Sequence, residues 1–166
     1  MTARSDGDQM KAIFLDIDGV IATPTSFRAN RELWREPEEY RYDRVSLAFL
    51  GQLVARTGAQ VVLSSSWRAD LDSNDPVLDA IVGNLLRQLE AFGAPVTDVT
   101  PSLPGGDRSA EIGAWLEKHP CEAYAIIDDR ARFEARPEIA EGHLVLVENS
   151  NGIRQPHFSQ ALSMLE

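Results

Sequence analysis

A chain of 166 residues with 43% hydrophobic and 25% charged side chains has the size and composition of one globular domain, which excludes wholesale disorder. No apolar run nears the ~20 residues of a membrane span, and a lone cysteine, Cys121, excludes a disulfide framework or a cysteine-built zinc site and suits a reducing, cytoplasmic setting. Sixteen basic against twenty-six acidic side chains leave a net charge of −10, so stable nucleic-acid binding through the phosphate backbone is not expected, while cation binding stays open.

The start, residues 1–10, is polar and reads as a frayed tail rather than a secretory signal. Residues 11–166 are expected to form a single domain with a small insertion at about 20–44. The continuous apolar run 12–15 has the pattern of a strand buried on both faces, and it stops at Asp16 and turns through Asp18-Gly19. Apolar positions Leu47, Leu50 and Val54 predict a helix over 45–56, capped by Gly58. A second buried strand, 60–63, ends in Ser64-Ser65-Ser66. Asp75 and Pro76 open a helix that Gly93 ends. A short strand over 95–99 and a helix over 109–118 follow. Residues 124–127 form another buried strand, ended by Asp128-Asp129; 143–147 is the last strand and 156–165 the closing helix. Strands alternating with helices imply an α/β fold, a three-layer Rossmann-like parallel sheet with helices on both faces.

Three strands thus end in polar groups: Asp16 and Asp18, Ser64, and Asp128 with Asp129. Parallel strands share a direction, so these ends fall on one edge of the sheet, where ligands bind in such folds. Four carboxylates meeting there would repel one another, and a hard divalent cation such as Mg2+ relieves that conflict. Asp16 and Asp18 are two apart, and Gly19 permits a tight turn, so one carboxylate can act as nucleophile while the other stands by the leaving group. Taken singly, each Asp after a strand is more simply a turn former or helix cap; the Asp-x-Asp-Gly paired with a distant Asp-Asp is what points to chemistry.

The run Phe14-Leu15-Asp16-Ile17-Asp18-Gly19-Val20 resembles the first motif of the haloacid dehalogenase-like (HAD) phosphatase superfamily. Val61-Val62-Leu63-Ser64 is similar to its second motif and Ile126-Ile127-Asp128-Asp129 to its fourth. Arg108, at the mouth of the 109–118 helix, stands where the third motif has a Lys or Arg, more often Lys. The resemblance spans about 12–147 and implies a magnesium-dependent phosphomonoesterase. In it Asp16 would form an aspartyl-phosphate, Asp18 would act as general acid and base, Ser64 would hold a transferring oxygen and Arg108 would neutralise charge. The ion would be held by Asp16, the Asp18 backbone carbonyl, and Asp128 or Asp129. The strings Ser64-Ser65-Ser66-Trp67-Arg68 and Asp128-Asp129-Arg130 look, more loosely, like HAD domains of RNA-repair-associated proteins. Gly19, Ser65, Arg68 and Arg130 are the further substrate-binding candidates, although Ser65 and Ser66 also suit turn amides and Arg68 a surface ion pair.

Too few residues separate Asp18 from Ser64 for a large cap domain, so the site is expected to be open. Residues 27–44 interleave five arginines and four aromatics with five acids. They read either as a surface that stacks a base and contacts phosphate, or as a solvated loop and helix with local ion pairs and Trp34 as a packing anchor. His119, His143 and His157 show no zinc spacing. The substrate is left open among phosphorylated small molecules, nucleotides and nucleic-acid ends. A non-catalytic phosphate- or nucleotide-binding module on the same fold is the alternative, and oligomeric state is not legible.

Overall fold

The computed structural model describes residues 10–71, 73–148 and 151–166. The tail expected over residues 1–10 lies outside the described residues except for Met10, which packs against the core and whose carbonyl accepts from the Glu122 amide at 2.9 Å.

Five parallel strands form the sheet: β1 (Lys11–Leu15), β2 (Gln60–Leu63), β3 (Val96–Val99), β4 (Ala123–Asp128) and β5 (Leu144–Leu146), in the order β3-β2-β1-β4-β5. The α/β three-layer reading is correct, and the described residues include no large cap. Alternation along the strands sends successive side chains to opposite faces. Ile13, Leu15, Val61, Leu63, Ala125 and Ile127 face one core, covered by α2 (Arg44–Thr57), α3 (Pro76–Ala91) and α5 (Gln155–Leu165). Ala12, Phe14, Val62 and Ile126 face the other, covered by α4 (Arg108–Lys118) through Ile112 and Trp115, with Phe133 and Ile139 beside them.

Local chemistry sets the helix bounds. Asp43 caps α2 and Gly58 ends it in the left-handed region, φ 70°. Asp75 caps α3, with Pro76 in its first turn. The insertion contains α1 (Pro24–Glu32), opened by a capping box between Thr23 and Ser26. Its anchor is Asn30, which is buried and holds both the carbonyl (3.0 Å) and amide (2.9 Å) of Arg41. Trp34 is not the packing anchor of the second reading of 27–44: it is 91% exposed. The local ion pairs of that reading are also missing among the described residues, because Asp43, the one acid of 27–44 in an ion pair, takes Arg154 of the C-terminal region.

The order of strands reverses between β1 and β4, since the chain moves outward from β1 to β2 and β3 and then returns through α4. Ligand crevices in open parallel sheets form at such a reversal, and the ends of β1 and β4 flank this one.

Candidate active site

Leu15 is in register with Leu63 on one side and Ile127 on the other. The next residue of each strand is therefore level with its neighbours: Asp16, Ser64 and Asp128. Backbone bonds hold this level, from Asp16 N–H to the Ile127 carbonyl (3.0 Å) and from Ser64 N–H to the Leu15 carbonyl (2.8 Å). These residues continue the alternation that points Phe14, Val62 and Ile126 toward α4, so their side chains leave the sheet on that face. All three are buried.

Carboxylate oxygens of Asp16, Asp128 and Asp129 lie within 4.8 Å of one another. Burial pushes the Asp16 carboxyl above its ordinary range, against the opposing pull of Arg108. Burial, and then the charge of Asp16, push Asp128 up to about 7. Crowded, desolvated oxygens of like charge are the donor set that suits a hard dication. The protein's own cation there is Arg108, whose Nη1 lies 3.3 Å from Asp16 and 3.4 Å from Asp128. Arg108 begins α4 and is 7% exposed, so one guanidinium neutralises part of two buried charges.

Asp107 sets the start of that helix. Its carboxylate accepts from the amides of Ser109 and Ala110 and from the Ser109 hydroxyl, and its other oxygen accepts from the amides of Glu134 (3.2 Å) and Ala135 (3.1 Å). These bonds, that from Ser109 foremost, hold its carboxyl down to about 2. The residue thereby ties the helix carrying Arg108 to the loop that follows Asp128-Asp129. An Asp immediately before a helix is a recognisable cap in sequence, but nothing in its neighbourhood marks the bonds to Glu134 and Ala135.

The convergence of four carboxylates expected from the sequence is corrected to three. The Asp18 carboxylate is exposed and turned aside, accepting a 3.0 Å hydrogen bond from the indole N–H of Trp67. Extended geometry would have put Asp16 and Asp18 on one side, but the chain folds back at once: the Ala22 amide bonds to the Ile17 carbonyl and Gly19 N–H to the Ala22 carbonyl (2.9 Å). Trp67 packs against the core and edge-on to Tyr42, with ring centroids 6.2 Å apart. Gly19 has φ 79°, a conformation that favours glycine, and a Cβ there would press on the Asp129 carboxylate.

The remaining substrate candidates are spread. Ser64 Oγ is buried without a hydrogen-bond partner. The Ser65 hydroxyl helps hold the charge of Asp16 and also accepts from the Trp67 amide at 3.4 Å. Arg68 is turned to α4, where Nη2 meets Glu111 at 2.5 Å and Nη1 meets Thr100 at 3.3 Å, an ion pair that is buried rather than on the surface. The Arg130 side chain is exposed, while its backbone amide bonds Asp128 at 2.9 Å. His119 stacks on Trp115 and His143 on Tyr124, away from the acidic cluster.

A family model described as "HAD domain in Swiss Army Knife RNA repair proteins" matches residues 12–158. Among solved structures, the D,D-heptose 1,7-bisphosphate phosphatase from B. bronchiseptica, complexed with magnesium and phosphate, superposes with a TM-score of 0.52 at 17% identity, covering 79% of this chain and 76% of that one. At that identity the likeness is one of fold. No curated protein matches the sequence. No helix among the described residues is long and apolar enough to cross a membrane.

Proposed function

The chain belongs to the family of HAD domains in Swiss Army Knife RNA repair proteins, and from that premise we propose that it is a magnesium-dependent phosphomonoester hydrolase using Asp16 as nucleophile. The observation that carries this reading is the cluster of Asp16, Asp128 and Asp129 beside a buried Arg108 at the reversal of strand order. A module that only bound phosphate would gain nothing from three repelling carboxylates at an anion site.

Asp16 presents a carboxylate oxygen to phosphorus; the new P–O bond forms as the ester P–O bond breaks. Asp18 gives its proton to the departing oxygen, then takes one from the water that cleaves the aspartyl-phosphate and frees Asp16. Its exposed carboxylate, steadied by Trp67, is free of the acidic cluster and suited to that shuttle. Arg108 offsets charge on the transferring group, and the unpartnered Ser64 hydroxyl is available to donate to one of its oxygens. Asp16, the Asp18 carbonyl, and Asp128 or Asp129 would hold magnesium, which would supply positive charge to offset that of an incoming anionic ester.

Among phosphomonoesters we favour nucleotides and nucleic-acid ends, in keeping with the family's description and an open site that admits a polymer. The test is hydrolysis of p-nitrophenyl phosphate with magnesium, with and without EDTA. Turnover should need the metal, and Asp16→Asn should fall on the order of 10⁴-fold or more with its fold intact. Full turnover by Asp16→Asn would remove the covalent mechanism.

A further inference from the structure

The outward side of the insertion carries side chains that the reaction does not use. Phe27, Arg28, Arg31, Trp34 and Arg35 surround an open concavity of about 780 Å³. Phe27, Arg28 and Arg31 fall at i, i+1 and i+4 on α1, and the turn that ends the helix brings Trp34 and Arg35 to the same concavity. Trp34 has φ 53°, the one positive-φ non-glycine residue among those described, and its ring is 91% exposed. Phe27 is 42% exposed, braced edge-on by Tyr40 at 5.3 Å. Neither Arg28 nor Arg31 appears in any ion pair among the described residues, although Glu32 and Glu36 border the same concavity.

We propose that this stripe is a stacking platform for single-stranded nucleic acid, holding the bases next to a terminal phosphate placed at Asp16. The proposal rests on the hydrolase reading above and extends it to substrate recognition. Planar rings and guanidinium groups together match bases and phosphates, and stacking accepts any base. The two bordering glutamates mean that attraction of charge alone is weak there, consistent with a chain of net charge −10, so stacking on Trp34 is the larger part. Position supports the same occupant. Pro24 opens α1 and lines the concavity, and it follows by two residues the Asp18–Ala22 bridge. α1 is nine residues long, about 14 Å, and the concavity runs from Pro24 at its start to Trp34 beyond its end, a length suited to a short strand rather than to one nucleotide. Asn30, buried away from the concavity, tethers the helix to Arg41 and leaves the platform side chains facing out.

The test uses the full chain with magnesium and a fluorescein-labelled oligouridylate RNA of about ten nucleotides carrying a terminal phosphate, in 3′ and 5′ versions. Trp34→Ala should weaken binding, and lower kcat/KM on the version that is hydrolysed, by about tenfold or more. Its kcat/KM on p-nitrophenyl phosphate should stay within about twofold of the parent, because that ester does not extend to the platform. Arg28→Ala and Arg31→Ala should each reduce the slope of log affinity against log salt by about 0.7. Oligonucleotide binding by Trp34→Ala equal to that of the parent overturns the platform while leaving the hydrolase reading untouched. Self-association of the parent that Trp34→Ala abolishes, with RNA binding unchanged, would assign the stripe to a second copy of the chain and overturn the proposal equally. Failure to hydrolyse any ester would remove the hydrolase reading, and the binding measurement would still decide the platform.

Discussion

At the carboxyl edge of the sheet, arginine and acid are buried against each other: Arg108 between Asp16 and Asp128, Arg68 against Glu111. In the insertion that leaves the same edge, Arg28 and Arg31 face outward beside acids they do not pair with. The difference follows from support. Three strands in register fix the side chains at the edge, so opposed charges can be held at 3.3–3.4 Å with little entropy left to lose. One short helix tethered through Asn30 offers no such frame, and exposed pairs there would gain little. The edge fixes its charges in place, and the insertion leaves Arg28 and Arg31 free to meet solvent.

The sharpest way to break this contrast is to remove the shared cation. Arg108→Ala leaves Asp16 and Asp128 facing each other in a buried site, and we expect a loss of about 3 kcal/mol in unfolding free energy without metal. Saturating magnesium should recover part of it, whereas Arg28→Ala should leave the unfolding midpoint unchanged; denaturant titration checks both.

A pH series sharpens the same point. With no cation bound, the folded chain keeps the Asp128 proton up to about pH 7, while the unfolded carboxyl loses it near its ordinary value of 3.8. Between those values the folded form holds more protons, so this group makes stability fall as pH rises. Magnesium removes the penalty, and the rise in melting temperature that it produces should be larger at about pH 8 than at about pH 5.

Smaller effects separate positioning from bulk. Trp67→Phe keeps the ring but removes the bond to Asp18. Its kcat/KM should fall about tenfold on an alkyl phosphate, whose leaving oxygen needs a proton, and little on p-nitrophenyl phosphate. Least in size is Trp34→Gly. Relief of the left-handed backbone should raise stability by about 1 kcal/mol, a gain at an exposed aromatic that a packing role would reverse.

The parts legible in the sequence were those written in contiguous residues. Apolar runs of three or four residues disclosed β1, β2 and β4, and polar residues stopping each run disclosed Asp16, Ser64 and Asp128. The start of α4 put Arg108 at the mouth of the site. What stayed hidden depends on turns and distant pairs. The bond from Trp67 to Asp18 spans 49 positions, and nothing in either neighbourhood announces it. Arg68, two residues beyond Ser66, looked aimed at the phosphate site; its partner Glu111 lies 43 positions away on α4. Of the two readings of 27–44, the one that makes Trp34 a packing anchor fails on its exposure, although a large aromatic in a mixed-charge segment ordinarily buries itself.

The short excursion between Gly19 and α2 also bears on how turnover is paced. Among the described residues no second lobe covers Asp16, so on the proposed mechanism an ester would meet no gate from this domain on its way to that carboxylate. Bulk water would be correspondingly hard to keep out, so the proposed hydrolysis would rely on how firmly the acids are aimed rather than on sealing them away.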